Sequence, residues 1–362
     1  MIIISTSSFV LIACTLVLNV LLTIALTKLI LLHSLKNNIS DDPKSDASRK
    51  FQKQPVLLLG GTALCLSSTI VMLILKFIID NYQIFNDLKG NASGLSYLSL
   101  AAFMLSVVIM IIGGYLDDRY KMSSKYQLVF ILLSITLFTL ISGIRFDPFY
   151  IGFGSMFSLV ATIAWLGFCT ASTKFLDGHD GLVVSVGLIN FLTIACVALL
   201  DYINQPIVAV FAIIWAVGLF AFGVYNFPNA RAYLGEGASE IIGFSIGVLS
   251  ILSGAKIATT IAILGWFILD ILLVWIIRIM EGRNPLTSAD RNHWHFRLVD
   301  AGFNKLQVLI ITWTILLISS LISVYGDAKL KIIFFVVQIF ILLAIFGFTS
   351  SQNKLKGKAK LK

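Results

Sequence analysis

Repeated apolar runs decide what this chain can fold into. There are about eleven runs of about 17 to 25 residues, and a helix of that length crosses a hydrocarbon core of roughly 30 Å. A helix also satisfies its own backbone hydrogen bonds, which lipid cannot. Since 58% of the 362 residues are hydrophobic and mean hydropathy is +0.95, we predict an all-α polytopic membrane protein. The predicted transmembrane helices cover residues 8–32, 56–79, 97–116, 126–144, 157–173, 182–200, 207–224, 239–253, 257–279, 306–325 and 332–348.

The distribution of basic residues predicts the orientation, because loops rich in Lys and Arg stay in the cytoplasm. When the loops are assigned alternately to the two sides, 21 of the 27 Lys and Arg residues fall on one side. That side is predicted to be cytoplasmic, with the amino terminus outside and the carboxy terminus inside. We predict one transmembrane domain over residues 1–349 and a basic cytoplasmic tail over residues 350–362. The net charge of +9 then reflects topology, and no nucleic-acid partner is expected.

Two predicted cytoplasmic loops carry paired acids at the membrane edge. In "GGYLDDRYKMSSK", Asp117 and Asp118 end the third span and Lys125 opens the fourth. Such a pair can hold Mg²⁺, which takes one or two carboxylates plus phosphate oxygens, or can act as a charged membrane stop. In "KFLDGHDGL", glycines allow a tight turn that carries Asp177 and Asp180. A plain turn between helices is the alternative there.

Two further loops on the same side are rich in aromatic and basic residues. "YNFPNARAYLGEGAS" contains Tyr233, whose ring could stack on a nucleobase or anchor the chain at the membrane interface. "PLTSADRNHWHFRL" alternates acid, base and imidazole around His293 and His295. A zinc site is disfavoured, because two histidines without a nearby cysteine are too few ligands.

In this order and on one side, the four motifs resemble the polyprenyl-phosphate N-acetylhexosamine-1-phosphate transferases, glycosyltransferase family 4. The resemblance covers about residues 49 to 303. "DRNHWHFRL" is closer to the undecaprenyl-phosphate GlcNAc-1-phosphate transferases than to phospho-MurNAc-pentapeptide translocase, which has a histidine triplet. The resemblance implies transfer of a sugar-1-phosphate from a UDP-sugar to a membrane polyprenyl phosphate, with release of UMP.

The resemblance also implies a cellular setting and a set of partners. The enzyme would lie in the bacterial cytoplasmic membrane with its active site facing the cytoplasm. There it would begin the membrane stage of cell-envelope glycan synthesis, such as lipopolysaccharide O-antigen or cell-wall polymers. UDP-GlcNAc is the expected donor, Mg²⁺ or Mn²⁺ the expected cofactor, membrane lipid the surroundings, and a homodimer a possible assembly.

Residue roles follow from the motifs of the family. The acceptor phosphate is mostly deprotonated at neutral pH, since a phosphate monoester has a second pKa near 6. The harder task is to bring two anions together, which calls for cations and positioning. The catalytic set implied is Asp117, Asp118, Asp177, Asp180, His293 and His295. The substrate-binding set is Lys125, Asn226, Tyr233 and Arg291, and the metal ligands are Asp117, Asp118 and Glu236.

The chain departs from the family pattern at the positions to which metal contacts are attributed. The family reads N-x-x-N-x-x-D-G-x-D-G, whereas Ala171 and Lys174 replace the two asparagines here. Glu236 replaces the aspartate of G-D-x-G-S, and Phe296 replaces the last histidine. An ammonium cannot coordinate a cation, so we predict a Lys174–Glu236 ion pair in part of the metal site.

Three consequences of that substitution are open. The metal shifts toward Asp117, Asp118 and Asp177, or the ammonium replaces part of its charge, or catalysis is lost. The last case would make the chain a silent homologue that binds polyprenyl phosphate or a nucleotide sugar. A transporter is a third class, disfavoured because its charges should lie near mid-membrane rather than at cytoplasmic helix ends.

Overall fold

The structure, a computed structural model, describes residues 5–42, 54–89, 95–145, 155–253, 257–285 and 291–359. Within these ranges the chain is almost entirely helical, with a two-stranded sheet of β1 (Ser40–Asp41) and β2 (Val56–Leu57) and a 3₁₀ helix at Gln83–Leu88. The α-helices are α1 (Thr6–Lys36), α2 (Gly60–Asn81), α3 (Tyr97–Tyr120), α4 (Ser124–Ser142), α5 (Ser155–Leu176), α6 (Leu182–Ala198), α7 (Pro206–Asn226), α8 (Glu236–Leu252), α9 (Ile257–Met280), α10 (Trp294–Ala301), α11 (Lys305–Tyr325) and α12 (Ala328–Ala359).

Eight of the described helices are long and apolar enough to cross a membrane, namely α1 to α5, α7, α11 and α12. Helix α6 is equally apolar but has only 17 residues. The prediction of an all-α polytopic membrane protein is confirmed, while the count of eleven spans and the orientation of the termini stay predictions. Helix α12 continues to Ala359, well into the segment predicted as a tail.

One predicted boundary is wrong. The span predicted to begin at Val56 begins as a helix only at Gly60. Val56 instead pairs with Asp41 in the antiparallel sheet, and Leu59 has a φ of 71°, which no α-helix accommodates. The apolar residues from Val56 to Leu59 therefore belong to a strand and a loop that fold back over the end of the bundle.

Helix α7 lies at the centre of the bundle and α1 at its edge. In the most apolar 18-residue windows, 78% of α7 is buried but only 17% of α1. Outer helices expose large apolar side chains such as Phe9 and Phe340 to the surroundings, as expected of a surface that faces lipid. Inside, Phe103 stacks on Phe244 at 5.4 Å between ring centroids and meets Trp215 edge-on at 6.3 Å.

Interhelical hydrogen bonds hold α1 against the bundle despite its small buried share. Asn19 Nδ2 donates to the carbonyl oxygen of Ile214 in α7 at 2.7 Å. The hydroxyls of Thr23 and Ser67 lie 2.6 Å apart between α1 and α2. Such polar contacts are a usual means of holding helices together in lipid, where the hydrophobic effect gives no preference for helix contact.

One end of the bundle gathers the loops that carry the four motifs. Arg119, at the end of α3, donates to the carbonyl oxygen of Asn37, just after α1. Leu57 forms a parallel bridge to Ala232, which joins the start of α2 to the α7–α8 loop. Arg297 in α10 donates to Ser350 of α12 at 3.0 Å. We call this end, marked by these contacts, the site end.

Candidate active site

Asp117 and Asp118 lie at the carboxyl end of α3, both nearly buried, with exposed fractions of 6% and 5%. Asp118 Oδ2 accepts the backbone N–H of Glu236, the first residue of α8, at 3.3 Å. This places the carboxylate at the positive end of the α8 dipole. Gly235 permits the approach, because its φ is 86° and a Cβ there would lie 2.6 Å from Asp118 Oδ2. The first and third motifs therefore meet.

Lys174 lies in the same cluster and is surrounded by acceptors. Its Nζ is 2.5 Å from Glu240 Oε1, 3.3 Å from Glu236 Oε2 and 2.8 Å from Gln127 Oε1. It donates hydrogen bonds to Glu240 and Gln127 and forms an ion pair with Glu236. The predicted Lys174–Glu236 ion pair is present, but the shorter contact is to Glu240. Gln127 is also close enough to Asp117 to act on its carboxyl group, so it lies between the ammonium and the paired acids.

Asp177 follows α5 directly and faces the start of α8, where Glu236 and Ser239 are close enough to act on its carboxyl group. Burial of the carboxyl group, helped by the negative charge of Glu236, raises the pKa of Asp177 to about 8. As long as no metal ion is bound beside it, this side chain therefore keeps a proton at neutral pH, even with the Lys174 ammonium in the cluster. Neighbouring carboxylates, above all Glu236, act on both Asp177 and Asp118, so negative charge is concentrated in this cluster.

Asp180 joins the second motif to the third. Its Oδ1 accepts the Tyr233 hydroxyl at 3.3 Å, and its Oδ2 is 3.0 Å from Lys305 Nζ at the start of α11. Burial and the charge of Asp180 raise the pKa of Tyr233, so the hydroxyl stays protonated and donates. Backbone bonds fix this loop, since Tyr233 N–H donates to Leu57 O at 2.9 Å and Gly60 N–H donates to Tyr233 O at 3.1 Å.

Asn226 braces the same two loops with both ends of its amide. Its Oδ1 accepts the N–H of Gly181 at 3.1 Å, and its Nδ2 donates to the carbonyl oxygen of Ala232 at 3.0 Å. The side chain is buried, with an exposed fraction of 3%. The structure thus gives Asn226 a scaffold role, and its predicted role in substrate binding stays a prediction.

The histidines of the fourth motif lie in a buried stack. His293 Nδ1 is 2.7 Å from Asp270 Oδ2, and its ring lies 5.1 Å from that of Phe175 at an interplanar angle of 23°. His295 follows in parallel, 6.1 Å away at 16°. Burial lowers the pKa of His295 well below its usual range, so its imidazole is neutral. Neither ring nitrogen of His295 has a partner among the described residues.

Phe296 ties the fourth motif to the second. A Cβ at Gly178 would come within 2.6 Å of Phe296 Cζ, so only glycine allows this contact. On its other side, the Phe296 ring lies 5.0 Å from the guanidinium of Arg291. Arg291 also pairs with Asp300 at 2.6 Å. The phenylalanine that replaces the family's last histidine therefore serves packing between two site loops.

The structure places the remaining predicted residues less centrally and adds others. Lys125 is exposed on the first turn of α4, and Asp290, the acid of the fourth motif, lies outside the described residues. Four residues at the site escaped the sequence analysis although two of them carried a signal: Glu240 and Asp270 are acids inside predicted spans, where ionisable residues are functional candidates. The four are Gln127, Glu240, Asp270 and Lys305.

The described residues support the predicted metal site less clearly than the paired acids of the sequence suggested. Among the residues that the structure describes, no group of three or more His, Cys, Asp or Glu side chains is arranged to hold a metal ion. Glu236, a predicted ligand, shares its carboxylate with the Lys174 ammonium. Any cation held here would have to draw several ligands from water or substrate.

Comparison with known proteins points to one group. Residues 99–254 match the sequence model of glycosyl transferase family 4, a stretch that includes three of the four motifs. A probable undecaprenyl-phosphate N-acetylglucosaminyl 1-phosphate transferase of Bacillus subtilis is 29% identical over 225 residues, 59% of this chain and 62% of that protein. The chain thus spans somewhat less than two thirds of this relative's length.

Two further relatives are similar over longer stretches. Decaprenyl-phosphate N-acetylglucosaminephosphotransferase of Mycolicibacterium smegmatis is 24% identical over 298 residues, 73% of this chain and 70% of that protein. Phospho-N-acetylmuramoyl-pentapeptide-transferase of Staphylococcus epidermidis is 26% identical over 253 residues, 68% of this chain and 70% of that protein. All three relatives are named for the transfer of a phosphorylated sugar.

Proposed function

We propose that this chain is a member of glycosyl transferase family 4 and that it transfers N-acetylhexosamine-1-phosphate from a UDP-sugar to a polyprenyl phosphate and releases UMP. UDP-GlcNAc is the proposed donor and undecaprenyl phosphate the proposed acceptor. The observation that carries the proposal is the meeting of the four motifs at the site end. Asp118 touches the start of α8, Asp180 binds Tyr233, and Phe296 packs on Gly178.

The chemistry needs charge balance more than a strong base. An oxygen of the acceptor phosphate attacks the β-phosphorus of the UDP-sugar, and the bond from that phosphorus to the UMP oxygen breaks. Both reactants are anions, so cationic side chains and hydrogen-bond donors lower the barrier. Arg291 lies in the fourth motif and Lys305 at the start of α11, and both are only partly exposed, with side-chain exposures of 21% and 27%. They would face phosphate oxygens, while Tyr233 and Asp180 would hold the uridine.

Mg²⁺, or Mn²⁺ in its place, is the proposed cofactor. Asp118 and Asp177 fit such an ion, because their charges act on each other and Mg²⁺ is commonly bound by one or two carboxylates plus substrate phosphates. Glu236 fits less well, since Lys174 lies 3.3 Å from it. When bound, the ion would neutralise charge on the diphosphate. Lys174 would supply a fixed positive charge on the other side of the cluster.

The proposed setting is the bacterial cytoplasmic membrane, with the site end toward the cytoplasm, where UDP-sugars are made. The amino terminus would then lie outside and the carboxy terminus inside, in agreement with the distribution of Lys and Arg. A homodimer is compatible with the proposal. The product would enter cell-envelope glycan synthesis, such as the O-antigen of lipopolysaccharide.

The direct test uses purified protein, radiolabelled UDP-GlcNAc and undecaprenyl phosphate in detergent. Release of UMP together with a labelled lipid supports the proposal. Binding of UDP-GlcNAc or polyprenyl phosphate without release would instead support a second function, that of a silent binding homologue. That alternative is favoured by the full set of partners around Lys174. Movement of substrate across vesicles without product would support a transporter.

Metal titration will show whether the Lys174 ammonium replaces part of a metal's charge. We expect the wild type to keep more of its activity in EDTA than Lys174→Asn/Glu240→Gln, which removes the ammonium and its buried counter-charge together. The double change is needed because Lys174→Asn alone leaves Glu240 unpaired. Activity measured against MgCl₂ concentration gives the comparison. A stronger dependence on Mg²⁺ in the wild type would refute replacement.

A further inference from the structure

Asp270 in α9 contacts the histidine motif with both carboxylate oxygens. Oδ2 is 2.7 Å from His293 Nδ1, and Oδ1 accepts the backbone N–H of Trp294 at 3.0 Å. Asp270 and His293 are both nearly buried, with exposed fractions of 3%. His293 Nε2 is also buried and has no partner among the described residues. The histidine thus has one nitrogen held by the protein and one left over.

This geometry fixes which nitrogen carries the proton. An ionised carboxylate only accepts hydrogen bonds, so His293 must hold its proton on Nδ1. The lone pair then lies on Nε2, where the ring can take up a second proton and become an imidazolium. The rings of Phe175 and His295 lie nearly parallel to that of His293, at 5.1 and 6.1 Å between centroids, and limit its rotation. In metal sites and catalytic triads, the partner of one ring nitrogen likewise sets the state of the other.

We propose that Asp270 is a positioning residue that holds His293 in its Nδ1-protonated form and leaves Nε2 free for a phosphate of the substrates. This inference rests on the proposed function and adds to it a residue outside the four motifs. If the phosphate gives its own proton to Nε2, it then faces the imidazolium of His293, whose charge the Asp270 carboxylate stabilises. The acceptor phosphate is a suitable source, because a phosphate monoester with a pKa near 6 is partly protonated at neutral pH. The released UMP, also a phosphate monoester, can take that proton away.

Asp270→Asn tests this with little change of shape. Trp294 N–H still needs an acceptor, so the amide oxygen must face Trp294 and the amide nitrogen must face His293. The amide nitrogen donates to Nδ1, which forces the proton of His293 onto Nε2. The variant therefore inverts the tautomer rather than deleting the contact.

The tautomer is read directly by ¹⁵N NMR of histidine-labelled protein in detergent, with the His293 signals assigned by their loss in His293→Gln. We expect the wild type to show a protonated Nδ1 and Asp270→Asn a protonated Nε2. Asp300→Asn is the matched control, because it removes an acid from the same segment that pairs with Arg291 instead. It should leave the His293 signals unchanged. A wild-type spectrum with the proton on Nε2 overturns the proposal, even if the variant fails to fold.

Kinetics separate positioning from simple support of the fold. For Asp270→Asn we expect kcat for UMP release to fall by about 10²-fold or more, the range of a lost proton-transfer group, with little change in the KM for UDP-GlcNAc. An inverted tautomer with an unchanged kcat would overturn the positioning role. If the wild type releases no UMP while the tautomers behave as expected, the proposed function fails and the assignment of Asp270 stands.

Discussion

Lys174→Met is expected to destabilise the folded protein by about 3–5 kcal/mol, the usual cost of removing one partner of a buried ion pair. The reason is the environment of Glu240, whose side chain is 4% exposed and 2.5 Å from the Lys174 ammonium. Without that ammonium, the Glu240 side chain either stays charged beside Glu236 with no bound counter-ion or takes up a proton, and both states cost free energy. Unfolding of the detergent-solubilised protein by heat or SDS measures the loss.

Two matched variants serve as controls for this measurement. Lys174→Met/Glu240→Leu removes both charges and should recover most of the stability, since apolar replacement of a buried pair is often neutral or better. Glu281→Ala breaks an exposed pair with Arg283 and should change stability by less than about 1 kcal/mol. If the double variant is as unstable as Lys174→Met, the lost stability does not come from an unpaired Glu240.

Asp118→Asn is expected to lower kcat for UMP release by about 10²–10³-fold, the loss typical of one preorganised electrostatic group. The asparagine oxygen can still accept the N–H of Glu236, so the loop between α3 and α8 keeps its shape. What disappears is one negative charge in the position best suited to hold a cation. Initial rates at saturating substrate and MgCl₂ measure the effect.

Asp80→Asn serves as the control for Asp118→Asn. Asp80 pairs with Lys76 at 2.7 Å near the carboxyl end of α2, away from the site end. Loss of this ion pair should leave kcat within about twofold of the wild-type value, because an i,i+4 pair contributes only about 0.3–0.5 kcal/mol to stability. Near-normal turnover in Asp118→Asn would remove this carboxylate from the catalytic set.

Much of the fold can be predicted from sequence patterns, because a chain in lipid can adopt few backbone conformations. An apolar run long enough to cross the bilayer must be helical, so the helices could be placed without knowing their neighbours. The meeting of motifs was also predictable, since spans that alternate in direction return their loops to two ends only. The boundary at Val56 was not, because strand pairing with Asp41 depends on a distant loop closing over the site.

The contacts between helices could not be predicted from the sequence. That Lys174 of α5 would meet Glu240 of α8 depends on the rotation of two helices about their axes, which neither hydropathy nor spacing determines. The Lys174–Glu236 pair was predicted only because a resemblance placed both positions in one site. Asp270 is a similar case, since its partner His293 lies on a helix reached through a loop.

The loop that bears Tyr233 is held from outside the stretch shared with the family. Its backbone binds Leu57 O, Gly60 N–H and, through Leu234 O, Gly61 N–H, whereas the family match begins at residue 99. A chimera that grafts only the matched segment onto another membrane scaffold would leave the proposed nucleotide loop without these anchors. The smallest transplantable unit therefore includes β2 and the start of α2, which carry Leu57, Gly60 and Gly61.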